Sequence, residues 1–257
     1  MKAVILAGGK GTRLYPYTTV FPKPLVPVDD MPIIEILLRQ LKNHGISSVT
    51  VSVGHLAELL MTFLGKGEKV GIPIEYVSED KPMGTVAPLT LIRDLPEDFF
   101  LMNGDVLTNL NYKDLFEFHK ANGCALTIAT YSKEVKVDLG VLVTDGQDRV
   151  TDYIEKPTYN YKVSMGVYVF NRSVIQYIPG DVYYDFPTLV KALLERKIKV
   201  MSYPFNDIWL DIGRPADYEE AQNVFKSLRD KLLPGLKADK PASWQAGEPS
   251  GTGSSSL

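Results

Sequence analysis

Apolar positions along the chain follow two alternating periods, one typical of helices and one typical of strands. A spacing of i, i+3, i+4, i+7 predicts an amphipathic helix that ends before Gly45, with an apolar face made of Ile34, Leu37, Leu38 and Leu41. Similar patterns predict helices over 56–64, 112–121, 186–196 and 216–232, and strands over 3–6, 48–53, 74–77, 99–102, 124–131, 140–144, 150–154, 163–170 and 199–203. This alternation predicts an α/β fold with a Rossmann-like, mainly parallel sheet and helices on both of its faces.

The middle and the end of the chain depart from this rhythm. Between residues 140 and 170 the predicted strands have little helix between them, so we expect a smaller mixed-sheet lobe laid against the first sheet. We expect one domain over 1–232, built from a half over 1–110 and a half over 111–232. Residues 233–257 are rich in Pro, Gly, Ser and Lys and cannot build a core, which predicts a disordered tail.

The composition narrows the classes of function. The 257 residues are 45 % hydrophobic and 23 % charged, and a formal net charge of -3 provides no overall basic field, so we expect no nucleic-acid partner. The single cysteine, Cys124, excludes an intramolecular disulfide framework. No signal-peptide core follows Met1, and no stretch approaches the roughly 20 apolar residues of a membrane span. We therefore expect a cytoplasmic protein without a membrane partner.

A glycine-rich loop, residues 8–13 with the sequence GGKGTR, follows the first predicted strand. It matches neither the dinucleotide fingerprint, which would need glycine at Leu14, nor the Walker loop, which would need glycine at Arg13. Glycines let backbone N–H groups approach an anion closely, and Lys10, Arg13 and Lys23 add three cations nearby. The loop therefore predicts a triphosphate site at the carboxyl end of a strand.

Several motifs occur along the chain in a fixed order. They are LAGGKGTRL at 6–14, PKPL at 22–25, GT at 84–85, NGD at 103–105, EKP at 155–157, GVY at 166–168 and WLDIG at 209–213. In this order the motifs resemble the signature of the sugar-1-phosphate nucleotidyltransferases, especially the mannose-1-phosphate guanylyltransferases. The resemblance covers roughly residues 1–225. It implies an enzyme that joins a nucleoside triphosphate and a sugar 1-phosphate to give an NDP-sugar and pyrophosphate.

The resemblance also implies roles for residues of the first half. It makes Arg13 and Lys23 catalytic, Arg13 at the departing pyrophosphate and Lys23 at the α-phosphate. It implies that Asp105 and Asp211 hold Mg²⁺, a hard cation that takes carboxylate and phosphate oxygens. The implied nucleotide-binding residues are Leu6, Ala7, Gly8, Gly9, Gly11, Thr12, Gly84 and Thr85.

Residues of the second half are implied to bind the sugar phosphate. Lys156 matches the lysine that grips the sugar's phosphate, and Glu155 matches the carboxylate that accepts hydrogen bonds from sugar hydroxyls. Gly140, Ser164 and Gly166 complete this set. Many relatives have asparagine where this chain has Ser164, which offers one short hydroxyl, so the usual hexose contact is in doubt and the sugar is open. Residues 1–110 are thus the expected nucleotide-binding half and 111–232 the sugar-phosphate-binding half.

The substrates and the assembly are less determined by the motifs. The pattern favours GTP with a mannose- or heptose-type 1-phosphate; thymidylyl or uridylyl transfer to glucose 1-phosphate and guanylyl transfer to a cyclitol phosphate are alternatives. A non-catalytic subunit that binds a sugar nucleotide is the alternative of a different class, and the presence of Arg13, Lys23, Asp105 and Asp211 favours the enzyme. A homodimer is a family habit that no feature of this chain requires.

Overall fold

The computed structural model describes residues 1–79 and 81–236. Its helices are α1 Ile33–Asn43, α2 Ala57–Leu64, α3 Tyr112–Asn122, α4 Phe186–Glu195 and α5 Pro215–Leu232. Its strands are β1 Lys2–Leu6, β2 Pro27–Val28, β3 Met31–Pro32, β4 Ser48–Val53, β5 Ile74–Ser78, β6 Asp98–Asn103, β7 Val106–Thr108, β8 Leu126–Lys136, β9 Val141–Thr144, β10 Val150–Ile154, β11 Thr158–Asn171, β12 Val200–Phe205 and β13 Trp209–Asp211. The predicted helices and long strands are confirmed. The strands of two or three residues were missed because they are too short to show a period.

One sheet of seven strands organises the molecule. Its order is β12-β8-β11-β6-β1-β4-β5. Strand β11 runs antiparallel to both β6 and β8, and all other neighbours in the sheet are parallel. The predicted α/β class with a mainly parallel sheet is therefore confirmed.

Apolar side chains of the sheet alternate between two faces, and each face is covered. On one face, α1, α2 and α3 pack against β1, β4 and β6, and α1 buries the predicted residues Ile34, Leu37, Leu38 and Leu41. On the other face, Leu189 and Leu193 of α4 pack against Phe99 and Phe170. No helix of the described ranges is both long and apolar enough to cross a bilayer. Helices on both faces agree with the crossovers that parallel strands require.

A third apolar cluster joins the two ends of the described chain. Phe225 of α5 packs with Leu14 of the glycine-rich segment and with Ile212, and Leu233 is buried in the same cluster. Leu236 also packs against this cluster, so packing extends four residues beyond the expected boundary at 232. Most of the predicted tail, residues 237–257, lies outside the described residues.

The expected smaller lobe is continuous with the main sheet. Strand β11 has 14 residues and is therefore roughly 46 Å long at about 3.3 Å per residue, longer than the helices that cover it. Its inner half is buried in the main sheet, whereas its outer half pairs with the exposed outer half of β8. These outer halves and the β9–β10 hairpin are exposed and extend beyond the helix-covered part of the sheet.

Candidate functional site

A cavity of about 690 Å³ lies at the carboxyl ends of β1, β4, β5 and β6. Parallel strands end at the same edge of a sheet, so the residues that follow each strand meet there. Its wall includes most of the implied nucleotide-site residues, namely Leu6, Ala7, Gly8, Gly9, Gly11, Thr12, Arg13, Lys23, Gly84, Thr85 and Asp105. We call this space the strand-end cavity.

The glycine-rich loop crosses one side of the strand-end cavity and is tied to its neighbours. The backbone N–H of His55 donates to the carbonyl of Gly8 at 3.3 Å. The Thr18 hydroxyl donates to the carbonyl of Gly11 at 2.8 Å, so the loop is fastened from both sides. Two carbonyls of the loop thus accept hydrogen bonds from residues outside it. These bonds fix the position of the loop, whose N–H groups can donate to a bound anion.

The two implied catalytic cations lie in this cavity. The Lys23 ammonium forms an ion pair with the Asp105 carboxylate, and both side chains are mostly buried. The Arg13 guanidinium lies against Gly213, 3.5 Å from the position that a Cβ on this glycine would occupy. Gly213 follows Asp211, so the two cations reach the neighbourhood of both aspartates.

A short pair of strands places the two aspartates side by side. Strand β13 pairs antiparallel with β7, with Asp211 opposite Val106. The N–H of Ile212 donates to the carbonyl of Asp105 at 3.3 Å. Burial raises the pKa of the Asp211 carboxyl above its ordinary range, and the neighbouring charge of Asp105 raises it further, while Lys23 and Arg13 oppose the rise. Two carboxylates in a partly buried space favour a cation between them.

The donor set fits a magnesium ion. The Oδ1 atom of Asp105 is buried and has no hydrogen-bond partner among the described residues. Within 1–79 and 81–236, no group of three or more His, Cys, Asp or Glu side chains is arranged to hold a metal. The protein would therefore supply carboxylate oxygens from Asp105 and Asp211. Magnesium commonly takes one or two carboxylates and completes its shell with substrate phosphates and water.

The second implied nucleotide loop, with Gly84 and Thr85, is held by a distant segment. Tyr184 donates its N–H to the carbonyl of Met83 at 2.8 Å, and the Thr85 hydroxyl accepts from the N–H of Phe186 at 2.7 Å. Gly84 has a φ of +89°, and a Cβ at this position would lie 2.6 Å from the Tyr184 carbonyl oxygen. Only glycine allows this conformation and this contact without strain.

Glu79 also lines the strand-end cavity and was missed in the sequence. It follows β5, and its carboxylate accepts from the Ser52 hydroxyl at 3.2 Å and from the N–H of Met83 at 2.9 Å. It thereby joins the ends of β4 and β5 to the loop of Gly84. The position directly after a predicted parallel strand was the signal that could have found it.

Other lining residues were also outside the predicted set. Gly54 and His55 follow β4, so the same strand-end rule could have found them. Gly213 is the last residue of the WLDIG motif, for which only Asp211 was given a role. These residues are Pro24, Ser52, Gly54, His55, Lys81, Pro82, Asn103, Gly104, Tyr183 and Gly213, and the wall also includes Lys10, which was expected near the triphosphate.

Two of the implied sugar-site residues, Ser164 and Gly166, lie at an irregularity in β11. The pairing of β11 with β8 shifts between Ser164 and Tyr168. The Asn103 amide packs against Gly166, where a Cβ would lie only 2.7 Å from the amide nitrogen. Ser164 donates to the Tyr168 hydroxyl at 3.0 Å. Burial raises the pKa of Tyr168, and the charges of Asp105 and Asp211 add to the rise, so this bend adjoins the aspartates.

The remaining implied sugar-site residues form a separate group on the hairpin. The Tyr153 hydroxyl donates to the Glu155 carboxylate at 2.9 Å, and the Lys156 ammonium lies 3.9 Å from the other oxygen of that carboxylate. The Tyr153 ring lies over Gly140, where a side chain would overlap it. We call Gly140, Tyr153, Glu155 and Lys156 the hairpin group. The structure brings these residues together on an exposed surface, and they are not part of the strand-end cavity wall.

The sequence matches a known family over nearly all of the described chain. A family model described as Nucleotidyl transferase matches residues 2–227. The chain is 32% identical to a UTP--glucose-1-phosphate uridylyltransferase of Synechocystis sp., covering 92% of this chain and 67% of that protein. It is 35% identical to the probable mannose-1-phosphate guanylyltransferase 1 of Oryza sativa, covering 90% of this chain and 66% of that protein. The chain thus spans about two thirds of the length of these curated relatives.

Solved structures share the fold. HddC from Yersinia pseudotuberculosis superposes with a TM-score of 0.68 and 26% identity, covering 87% of this chain and 99% of that one. A putative glucose-1-phosphate thymidylyltransferase from Bacillus anthracis, in complex with a sucrose, superposes with a TM-score of 0.71 at 24% identity. This superposition covers 93% of this chain and 98% of the Bacillus anthracis chain, and it supports the fold alone.

Proposed function

The chain belongs to the nucleotidyl transferase family, and we propose that it joins a nucleoside triphosphate and a sugar 1-phosphate into an NDP-sugar, with release of pyrophosphate. The membership confirms the resemblance found in the sequence. The observation that carries the proposal is the strand-end cavity, where a fastened glycine loop, two cations and a partly buried carboxylate share one space.

The chemistry requires this arrangement. A phosphate oxygen of the sugar phosphate attacks the α-phosphorus of the triphosphate, an O–P bond forms there, and the bond from that phosphorus to the pyrophosphate oxygen breaks. Both reactants are anions, so catalysis depends on holding them in line and on neutralising charge. We propose that the loop N–H groups and Arg13 bind the leaving pyrophosphate, and that Lys23 lies at the α-phosphate.

Lys23 has a partner before the triphosphate binds. Its ammonium is paired with Asp105, which keeps both charges compensated in a mostly buried place. An incoming α-phosphate competes with Asp105 for this ammonium. We propose that Asp105 and Asp211 hold Mg²⁺, which when bound would neutralise and orient the phosphate oxygens. The orphaned Oδ1 atom of Asp105 supports this assignment.

The two halves of the chain have different proposed tasks. Almost all of the strand-end cavity comes from residues 1–110, which we propose as the nucleotide-binding half, with Tyr183 and Gly213 added from the second half. We propose that the hairpin group, with Ser164 and Gly166, binds the sugar phosphate. In that assignment Lys156 binds the sugar's own phosphate and Glu155 accepts from sugar hydroxyls.

GTP with a mannose- or heptose-type 1-phosphate is the substrate pair we propose. The relative from Oryza sativa is named a mannose-1-phosphate guanylyltransferase, and HddC has a second structure complexed with GMP-PN, at 25% identity and a TM-score of 0.66. Uridylyl transfer to glucose 1-phosphate is the second candidate, because the Synechocystis relative carries that name at 32% identity.

The test is a pyrophosphate-release assay with the purified chain and Mg²⁺. GTP, UTP, dTTP and ATP are each combined with mannose, glucose and heptose 1-phosphates, with an EDTA-treated sample beside each. We expect release above background for GTP with one of the manno-configured sugars, and no release after EDTA. Arg13→Ala and Lys23→Ala serve as inactive variants that exclude a contaminating enzyme.

The outcomes separate the candidates. Release with UTP and glucose 1-phosphate alone would replace the proposed substrates and keep the reaction. No release with any pair, together with tight binding of a sugar nucleotide, would contradict catalysis and favour a binding subunit.

A further inference from the structure

Tyr183 is a large side chain in the wall of the strand-end cavity to which the proposed reaction gives no role. It lines the cavity together with Gly84 and Thr85, and it remains 66% exposed. Among the described residues, its ring has no aromatic partner and its hydroxyl has no hydrogen-bond partner. An unpacked aromatic ring in the wall of a cavity is a common feature of ligand recognition.

The residues around Tyr183 are firmly held, in contrast to its own side chain. Tyr184 donates to the Met83 carbonyl, and its own carbonyl accepts from the N–H groups of Val86 and Ala87 at 3.3 and 3.4 Å. Phe186 is bonded to the Thr85 hydroxyl, and its ring stacks on Tyr168 with 4.0 Å between centroids. The backbone at Tyr183 therefore has a defined position beside Gly84, while the side chain is left free for a ligand.

A salt bridge adds a further tie across the same edge. The Lys81 ammonium lies 2.9 Å from the Asp181 carboxylate and 3.2 Å from its carbonyl oxygen. Both side chains are exposed, so the pair contributes little to stability. The salt bridge joins the segment that contains Gly84 to the segment that contains Tyr183 and Tyr184. Tyr183 lies two residues beyond this connection.

We propose that Tyr183 stacks on the nucleobase of the triphosphate, an inference that rests on the proposed function. The phosphates are served by the glycine loop, Arg13 and Lys23, and an aromatic ring offers no charge to them. The hairpin group is not part of this cavity wall, so the sugar phosphate has its proposed place elsewhere. The nucleobase is the flat, apolar-faced part of the substrate that remains, and aromatic rings bind bases through their π-faces.

Stacking of this kind accepts any base and favours the larger ring systems. Main-chain contacts at Gly84 and Thr85 can select a base by its hydrogen-bonding edge, whereas Tyr183 supplies affinity from the face. The structure thus divides recognition between two segments 100 residues apart, and Tyr183 belongs to the positioning of the nucleotide rather than to bond making.

The test is calorimetric titration of the complete chain in Mg²⁺ with two ligands. One is the nucleoside triphosphate that the wild type binds most tightly among GTP, UTP, dTTP and ATP. The other is inorganic tripolyphosphate, which has the phosphates and lacks the base. The variants are Tyr183→Ala, Tyr183→Leu and Tyr183→Phe, with Tyr161→Ala as a matched control, since Tyr161 is 53% exposed on β11.

We expect Tyr183→Ala to weaken the nucleotide about tenfold and to leave tripolyphosphate within about twofold of the wild type. Tyr183→Phe keeps the ring and should bind the nucleotide within about threefold, while Tyr183→Leu should resemble the alanine variant if its urea transition matches that of the wild type. Tyr161→Ala should bind both ligands as the wild type does.

Two results would overturn the inference. Nucleotide affinity within about twofold of the wild type in Tyr183→Ala would exclude stacking, and an equal loss for tripolyphosphate would place Tyr183 at the phosphates. Failure of the proposed function is distinguishable, because it is measured on the wild-type chain as absence of pyrophosphate release with every substrate pair, whereas stacking is judged from nucleotide binding by the Tyr183 variants.

Discussion

The strand-end cavity and the hairpin group carry the two halves of the proposed reaction, and they are built differently. Around the cavity, hydrogen bonds hold the glycine loop and Glu79 to residues at the end of β4, and the pairing of β7 with β13 holds the two aspartates. On the hairpin, all five residues of β10 are exposed, and within the described part of the chain Glu155 and Lys156 form their hydrogen bond and ion pair with Tyr153 and with each other. One site is largely formed before substrate arrives, and the other presents side chains on a surface.

This difference separates the expected effects of mutation. Residues of the cavity contribute to packing and hydrogen bonding, and we propose that they bind substrate, so their substitution should alter the free energy of unfolding and the kinetics together. Residues of the hairpin group are exposed, so their substitution should alter substrate binding and leave stability nearly unchanged. Four measurements test this contrast between the cavity and the hairpin group.

The largest effect is expected for Asp105→Asn. The change removes a charge that pairs with Lys23 and that we propose as a metal ligand, so kcat should fall by roughly three orders of magnitude or more. Pyrophosphate release under saturating substrates measures it, with circular dichroism to show that the fold is retained. A folded variant within about threefold of wild-type turnover would refute the metal assignment.

The next effect is expected for Gly84→Ala. A methyl group would lie 2.6 Å from the Tyr184 carbonyl oxygen at a φ of +89°, so the two segments must separate. We expect the free energy of unfolding to fall by roughly 1–3 kcal/mol, and nucleotide affinity to fall with it. Urea unfolding and nucleotide titration measure the two quantities.

Gly146→Ala is the matched control for this change. Gly146 lies in the turn of the β9–β10 hairpin, and a Cβ there would meet no atom within 4 Å. If the two variants had the same free energy of unfolding, the close contact between Gly84 and Tyr184 would not contribute to a cavity formed before substrate binds.

A smaller and more selective effect is expected for Lys156→Ala. Loss of a charge-assisted contact should raise KM for the sugar 1-phosphate about tenfold and leave KM for the nucleotide nearly unchanged. The free energy of unfolding should change by less than about 0.5 kcal/mol, since the side chain is 66% exposed. Lys133→Ala, an exposed lysine on β8, is the control. If KM for the nucleotide rose instead, the two phosphates would be assigned the wrong way round.

The smallest effect is expected on the pH dependence of stability and comes from His119, which packs under the sheet that both regions share. Burial lowers the pKa of His119, which bonds to Thr127 at 2.8 Å and lies 3.3 Å from the Asp98 carboxylate. The unfolded state therefore takes up a proton near its ordinary pKa of about 6.5, before the folded state does. Stability present above that pH should decline as the pH falls through it.

His119→Gln should remove this part of the pH dependence. Urea unfolding of both proteins between about pH 5 and 8 measures it, because acid-sensitive carboxylates common to both cancel in the difference. Parallel curves for the two proteins would show that His119 does not titrate differently in the folded state.

Much of the fold could be predicted because its cause is local. The i, i+3, i+4, i+7 spacing of α1 and the alternation in β4 reflect which faces are buried, and burial is the dominant favourable energy of folding. Strands β7 and β13 have three residues each and leave no such pattern. Their pairing is the contact that brings Asp105 and Asp211 together, and it spans a hundred residues of chain.

The class of fold, the glycine loop with its cations and the ordered motifs that mark the family could be predicted from the sequence, because these features depend on residues close to one another in the chain. Which side chains line the same cavity became known from the folded structure. It joined Glu79 and Tyr183 to the strand-end cavity and set the hairpin group apart from it. Such neighbours come from strand order and long-range loop contacts, which no spacing within one segment records.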